Sequence, residues 1–257
     1  MKILTLNINS IRAHIESFLE ILRSKKYDVI LVQELKVENA TFPHNLFDEY
    51  GYNIKVFGQK SYNGVAVFSK YSIEDVIRGL PNYTDTNARF IECLIDGCVR
   101  IINVYMPNGD TVDSPKFPYK LEWMNAFTNY ISGYLDSEEP VIIGGDFNVA
   151  LTDKDVWNPK NYVGIAIAAP QAREIMQSWL NAGWLDAWRQ MHPDTIDYTW
   201  YGYRGHDTIG NHQGLRLDYF LCNNSSAKKI TKCEIDMSPR LAAKPTDHCG
   251  LWLDIQE

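Results

Sequence analysis

Two rhythms of apolar residues alternate along the chain. Lys2 to Ile8 is short, apolar-rich and alternating, which predicts a strand. Ser10 then has the character of an N-cap. Ile11, Ile15, Phe18, Leu19 and Leu22 follow at the spacing of an amphipathic helix. The run from Asp28 to Glu34 is apolar with a polar end, so it predicts a buried strand emerging at an edge. Gly64 to Phe68, Arg89 to Ile95 and Val99 to Met106 also predict strands. The last two flank Asp96-Gly97, a strong hairpin signal. Phe117, Leu121, Met124, Phe127, Ile131 and Tyr134 space out as a second long helix. After Pro140 comes the strand Val141-Ile142-Ile143. Pro170 opens a third helix carrying Ile175, Met176, Trp179 and Leu180, with Gly183 at its C′ position. Leu215 to Cys222 and Gly250 to Ile255 are the closing strands.

No internal repeat, low-complexity tract or linker interrupts this order. It predicts one α/β domain over residues 1–257, with helices covering mixed sheets. The longest irregular stretches are 106–118, 152–169 and 200–214. They lie between elements, where binding and catalysis concentrate. Apolar residues make up 45% and charged residues 22%, which excludes a disordered, collagenous or coiled-coil chain. No run of about 18 apolar residues is present, so no membrane span is expected. The first residues lack the apolar core of a secretory signal. The charge balance is 25 Lys and Arg against 32 Asp and Glu, a net −7. Such a chain is no generic polyanion binder, and any nucleic acid must meet a local basic face. Five cysteines without a CxxC pair point away from a disulfide framework or structural zinc, and toward the reducing cytoplasm.

Polar groups recur where strands end: Asn7 and Asn9, Glu34, Tyr105 and Asn108, Asp146 and Asn148, Asp218, and Asp247-His248. Acidic and amide side chains gathered at such ends are candidate oxygen ligands for a hard cation. Glu34 is either a solvated carboxylate at a sheet edge or a Mg²⁺ ligand. In Gly144-Gly145-Asp146-Phe147-Asn148, two glycines let the backbone turn closely. Asp146 and Asn148 point the same way if the chain is extended, or make only an Asx-turn. Asp218 sits in the apolar strand Leu217-Asp218-Tyr219-Phe220-Leu221. A carboxylate there must be paired or ligated, and a histidine is a natural partner.

The joint order of these segments is far more specific than any one of them. Leu6-Asn7-Ile8-Asn9, Gln33-Glu34, Tyr105-Met106-Pro107-Asn108-Gly109, Gly145-Asp146-Phe147-Asn148, Arg216-Leu217-Asp218-Tyr219 and Thr246-Asp247-His248 together resemble the exonuclease III family of DNA-repair nucleases. That family belongs to the endonuclease/exonuclease/phosphatase superfamily, and the resemblance runs from Lys2 to Ile255. It implies a four-layered α/β sandwich, two packed sheets between helices. It implies incision of duplex DNA 5′ of abasic sites, removal of nucleotides and blocking groups from 3′ ends, or both. It implies a Mg²⁺ cofactor, with Mn²⁺ as a substitute, and a monomer acting on damaged double-stranded DNA. Glu34 is then the direct metal ligand, with Asn7 and Asp247 on the metal side and Asn9 beside them. Asp146 orients or deprotonates the attacking water. Asn148 and His248 hold phosphate oxygens, Asp218 fixes His248, and Tyr105 and Asn108 contact the phosphate or leaving oxygen.

Hydrolysis of a phosphodiester independently calls for these types. Charge building on the phosphate oxygens must be neutralised and a water aimed in line with the leaving oxygen. No nucleophilic Ser or Cys is needed. For the substrate, the resemblance makes Trp200, with Leu217, a wall of a pocket for an extruded abasic sugar. Trp200 is otherwise an ordinary packed aromatic. Lys36, Lys60, Arg89, Lys116, Lys120, Arg173, Arg204 and Lys244 lie near the motif loops and are either phosphate contacts or simply solvated surface cations; Arg89 is the foremost phosphate contact by its family match. Leu35, the apolar stretch Val163 to Pro170, and Leu215 depart from the family pattern. They bear on the balance between abasic incision and 3′ trimming. The competing expectations are a phosphoesterase of the same superfamily acting on a lipid or inositol phosphate, and a catalytically silent DNA-binding module.

Overall fold

The structure is a computed structural model and describes residues 1–203 and 208–256. Along the chain run β1 (Lys2–Asn7), α1 (Ile15–Arg23), β2 (Val29–Gln33), β3 (Asn53–Phe57), β4 (Val65–Ser69), β5 (Ile73–Arg78), β6 (Phe90–Ile95) and β7 (Val99–Tyr105). There follow α2 (Lys116–Ile131), β8 (Val141–Asp146), α3 (Pro170–Ala182), β9 (Leu185–Asp186), α4 (Ala187–Met191), β10 (Asp218–Cys222), α5 (Asn224–Ala227), β11 (Ile230–Asp236), α6 (Ser238–Leu241) and β12 (Gly250–Ile255). The strands form two six-stranded sheets, ordered β11-β12-β1-β2-β4-β3 and β5-β6-β7-β8-β10-β9. Both are mixed: β1–β2 and β7–β8 are parallel, and the other pairs are antiparallel.

Three apolar layers hold the sandwich. Phe18 and Leu22 of α1 pack with Leu4, Leu6, Ile30 and Phe68 on the outer face of the first sheet. Trp123 and Phe127 of α2 and Trp179 of α3 pack with Ile102, Val104 and Ile143 on the outer face of the second. Ile3, Leu31 and Val67 meet Ile91, Ile101, Ile142 and Phe220 between the sheets. Each central strand is thus buried on both faces, which explains its nearly continuous apolar run. Burial of this kind stabilises by roughly 25 cal/mol per Å² of apolar surface. The expected four-layered α/β sandwich is the observed one.

Alternation along the inner faces sets up the site. In β1 the inward residues run Ile3, Thr5, Asn7; in β2 they run Val29, Leu31, Gln33. In β7 they run Ile101, Asn103, Tyr105, and in β8 Ile142, Gly144, Asp146. Every inner face passes from apolar to polar toward the same end of the sandwich. Gln33 donates to Thr5 Oγ1 at 2.9 Å and to Asn103 Oδ1 at 2.7 Å, and Asn103 donates to the carbonyls of Val32 and Ala66. This buried amide tier stitches the sheets together directly beneath the outermost polar row.

Several local expectations change. The first helix starts at Ile15, not Ile11, because Ser10 takes φ 95 and residues 11–14 form a turn before the helix settles. Glu34 lies just past β2 at φ 53, so the strand ends at Gln33. Leu215 to Leu217 precede β10 rather than belonging to it, and Leu215 makes isolated bridges to Val156 and Trp200. β3, β5, β9 and β11 went unpredicted. All four carry partly exposed, mixed-polarity sequences that lack a clear period. The Asp96-Gly97 hairpin and the Pro170-to-Gly183 helix stand as predicted, with Gly183 at φ 126 closing α3.

Candidate active site

Strand register places three site residues side by side. Tyr105 pairs with Asp146 across β7–β8, and Asp146 pairs with Asp218 across β8–β10. Partners in register share a face, so all three project into the mouth between the sheets. From the opposite sheet, Asn7 ends β1 and Glu34 follows β2.

Gly145 makes this register possible. It sits at φ 149, and a Cβ there would lie 2.0 Å from the Val104 carbonyl oxygen. β7 and β8 can therefore close up beside Asp146 only because residue 145 has no side chain. Beyond Asp146 the chain turns rather than extending, since Asn148 takes φ 49. Its backbone N–H donates to Asp146 Oδ1 at 2.9 Å, an Asx-turn, and its Nδ2 donates to the Met106 carbonyl at 2.9 Å. The turn thus brings together the two side chains that an extended chain was expected to align.

A continuous polar chain crosses the mouth. Asn7 Nδ2 donates to Glu34 Oε1 and to Asp146 Oδ2, both at 2.9 Å. His248 Nε2 lies 3.8 Å from Asp146 Oδ2, and His248 Nδ1 lies 2.9 Å from Asp218 Oδ2. Asn108 Nδ2 donates to Asn148 Oδ1 at 3.0 Å. Thr199 Oγ1 accepts from the backbone N–H groups of Leu217 and Asp218, fixing the start of β10. Asp218 Oδ1 is buried without a hydrogen-bond partner.

Burial and charge compete in this chain. Burial raises the Asp146 carboxyl to about 7, against the opposing pull of the His248 cation and with further help from Asp218. Burial alone would lower His248. The charge and hydrogen bond of Asp218, with Asp146 and Asp247, outweigh it and raise the imidazole to about 10. His248 is therefore a doubly protonated cation at neutral pH. Burial, then the charges of Glu34 and Asp146, push the Tyr105 hydroxyl well above its ordinary value, so it stays a donor.

The metal side is made of hard oxygens. Asp247 accepts from Asn9 Nδ2 on Oδ1 and from Trp200 Nε1 on Oδ2, both at 3.0 Å. Lys36 Nζ lies 2.9 Å from Glu34 Oε2 and also donates to Asn9 Oδ1. An ammonium thus already rests on these oxygens, and this donor set fits a hard divalent cation. Among the described residues no three His, Cys, Asp or Glu side chains gather closely enough to hold an ion by themselves. Amide or solvent oxygens would have to complete the shell. Asn7 turns its Nδ2 to the carboxylates, while its Oδ1 accepts the Asn9 N–H at 3.0 Å. In this arrangement it orients Glu34 and Asp146.

The outlying candidates fall in different places. Trp200 is half-buried against Leu215, Leu217 and Val156. It therefore belongs to a packed cluster while its indole N–H supports Asp247. Arg89 donates to the Tyr119 hydroxyl and the Tyr105 carbonyl, and lies 5.0 Å above the Tyr105 ring. It lines a cavity of about 490 Å³ with Tyr105, Asn108 and Lys116. Lys60, Lys116 and Lys244 are exposed. Arg173 is taken up by the Ala150 carbonyl and Asp153. Lys120 is a correction: it is fully buried and cannot meet a phosphate. Arg204 lies outside the described residues. The amide tier of Gln33 and Asn103 was missed, although polar residues at inward positions of apolar strands were the available signal.

The family model described as the Endonuclease/Exonuclease/phosphatase family matches residues 4–248. The chain is 30% identical to exodeoxyribonuclease III of Haemophilus influenzae over 268 residues, covering all of both chains. Its structure superposes on an AP endonuclease from Archaeoglobus fulgidus with a TM-score of 0.96 and 35% identity over the whole of both chains. A 3′ phosphatase from Neisseria, solved bound to a product DNA hairpin, gives a TM-score of 0.95 and 33% identity, again over both whole chains. The chain belongs to the Endonuclease/Exonuclease/phosphatase family, in its exonuclease III branch.

Proposed function

We propose that this protein is a DNA-repair nuclease that hydrolyses phosphodiester bonds in damaged duplex DNA, 5′ of abasic sites and at blocked 3′ ends. The observation that carries this is the row Glu34–Asn7–Asp146–His248–Asp218, hydrogen-bonded at both ends and joined by a 3.8 Å ion pair between Asp146 and His248. It supports a reading in which a cation position beside Glu34, a buried carboxylate and a cationic imidazole share one mouth. The relatives' names, exodeoxyribonuclease III, AP endonuclease and 3′ phosphatase, support the substrate class.

Glu34, with Asp247 nearby, would hold a divalent cation such as Mg²⁺, or Mn²⁺. When bound, that ion would neutralise phosphate charge and stabilise the leaving oxygen. The chain's own groups do the rest. Asp146 orients a water toward phosphorus and takes its proton. The water oxygen bonds to phosphorus as the bond from phosphorus to the 3′ oxygen breaks, and the leaving oxygen takes a proton from solvent water to give the 3′ hydroxyl. His248 keeps one N–H on Asp218 and offers the other to a phosphate oxygen. Asn148 and Asn108 add amide donors, Asn9 borders the phosphate from the metal side, and Tyr105 donates from the far side. Arg89 grips a neighbouring phosphate, and Trp200 with Leu217 borders the sugar. The enzyme works as a monomer in a reducing cytoplasm, where its five free cysteines stay thiols.

The test is an end-labelled duplex carrying one abasic site, incubated with Mg²⁺ and with chelator. Cleavage 5′ of the lesion is expected with Mg²⁺ alone. Glu34→Ala should need more Mg²⁺ for half-maximal rate. Undiminished cleavage in excess chelator would overturn the metal assignment.

A further inference from the structure

Lys120 is a buried amine with no place in the chemistry above; burial lowers its pKa to about 7 against the opposing pull of Asp146. It projects from the first turns of α2 and is fully buried, yet it forms none of the salt bridges among the described residues. Its Nζ donates instead to two backbone carbonyls, Asn108 at 3.1 Å and Asn148 at 2.6 Å. Those residues lie on separate loops, one after β7 and one after β8. Their side chains are already joined, Asn108 Nδ2 to Asn148 Oδ1 at 3.0 Å. The cradle around the lysine is close-fitting. A Cβ at Gly109, which sits at φ 86, would fall 2.8 Å from Lys120 Cδ and 2.9 Å from Ala166 Cβ.

A buried amine, charged or neutral, must keep its N–H groups hydrogen-bonded, because an unpaired buried donor is costly. Here both bonds end on the residues that offer amide donors to the phosphate. We infer that Lys120 is a positioning residue for phosphodiester hydrolysis: it clamps the Asn108 and Asn148 loops together and so fixes the spacing of their amides. The inference rests on the function proposed above and adds a residue to its machinery. Asn148 holds a left-handed backbone conformation, and the bond from Lys120 to its carbonyl pins that conformation from the side away from substrate. Without the clamp the two amides lose their shared geometry, and loss of alignment falls on turnover more than on binding.

The experiment compares wild type, Lys120→Met, Lys120→Arg, Asn108→Ala and the double variant Lys120→Met/Asn108→Ala on an abasic duplex with saturating Mg²⁺. Lys120→Met is expected to lower kcat about 10–100-fold with KM within about threefold. Lys120→Arg restores donors and should recover most of the loss. Lys120→Met should cost less in the Asn108→Ala background, since one clamped amide is already gone. Should Lys120→Met fail to fold, Gly109→Ala reads the same device, because its methyl would press on Lys120 Cδ and shift the side chain; kcat should again fall with KM held. The side-chain amide NMR signals of Asn108 and Asn148 in the metal-free protein supply a readout that needs no activity. They should shift or broaden in Lys120→Met. The clamp is overturned by kcat within twofold of wild type, by additive losses, by an Arg variant as poor as the Met variant, or by unmoved amide signals. A wild type that cleaves no DNA while the amide signals shift would instead overturn the proposed function and leave the clamp standing.

Discussion

Asp146 and His248 share one environment and respond to it in a way that makes each useful. Burial holds a proton on Asp146 up to about pH 7, while Asp218 holds one on His248 up to about 10. If Asp146 takes the proton of the attacking water, the rate must rise with pH through an acid limb, and cation binding beside Glu34 should move that limb down. Asp146→Asn keeps the shape and loses the basicity. Turnover should fall by at least about 10²–10⁴-fold, while affinity for an abasic duplex stays near wild type. Equal losses in binding and rate would make Asp146 a turn residue only. The histidine also carries a stability prediction. Its pKa is raised on folding from 6.5 to about 10, so the folded state binds its proton more tightly. That stabilisation is complete below about pH 6.5 and is lost as pH rises toward 10. Denaturant titrations of the metal-free protein should show this decline, and His248→Gln should flatten it. An unchanged slope would reject the Asp218–His248 pairing.

At the level of elements, the site depends on how closely β7, β8 and β10 approach. The pairing that aligns Tyr105, Asp146 and Asp218 passes through Gly145, where the obstacle to any side chain is the Val104 backbone carbonyl. A carbonyl inside a central sheet cannot swing aside as a flexible side chain would. Gly145→Ala should therefore destabilise by about 3–5 kcal/mol, lowering Tm by roughly 10 °C. At this size Tm moves by about 2–4 °C per kcal/mol, so a melt within 2 °C of wild type would mean that β7 and β8 separate easily, contrary to the register described. The helices contribute differently. α2 and α3 cover the second sheet with Trp123, Phe127 and Trp179, and α2 also sends a polar group, Lys120, through to the site loops.

For the molecule as a whole, the net charge of −7 opposes DNA. Affinity must come from a few cations: exposed Lys60, Lys116 and Lys244, with Arg89 and Lys36, which must trade part of their present contacts for phosphate. Lys120 is buried and Arg173 is engaged elsewhere, which shortens the set expected from sequence. With roughly four or five phosphate contacts, log K against log salt should have a slope of about −4, from ~0.9 per contact. Arg89→Ala should flatten it by about one and weaken all duplexes alike. An unaltered slope would show that the Tyr119 and Tyr105 contacts hold Arg89 for structure alone.

Pattern along the chain determined one α/β domain with polar groups at its strand ends; the four-layered sandwich and the roles of those groups came from the joint order of motifs and its family resemblance. Continuous apolar runs ending in Asn7, Glu34, Tyr105 and Asp146 required strands buried on both faces with polar ends. Asp218 in an apolar strand required a partner. These conclusions follow from period and burial cost, which are local properties of the chain. Tertiary structure decided what depends on distant segments meeting. It made Asn148 a left-handed turn residue, set Asn7 between two carboxylates, and drew Trp200 onto Asp247. It also turned Lys120, by sequence a surface cation beside a motif loop, into a buried clamp. Residues 108, 120 and 148 are neighbours only because two strands and a helix converge, and no pattern along the chain encodes that convergence.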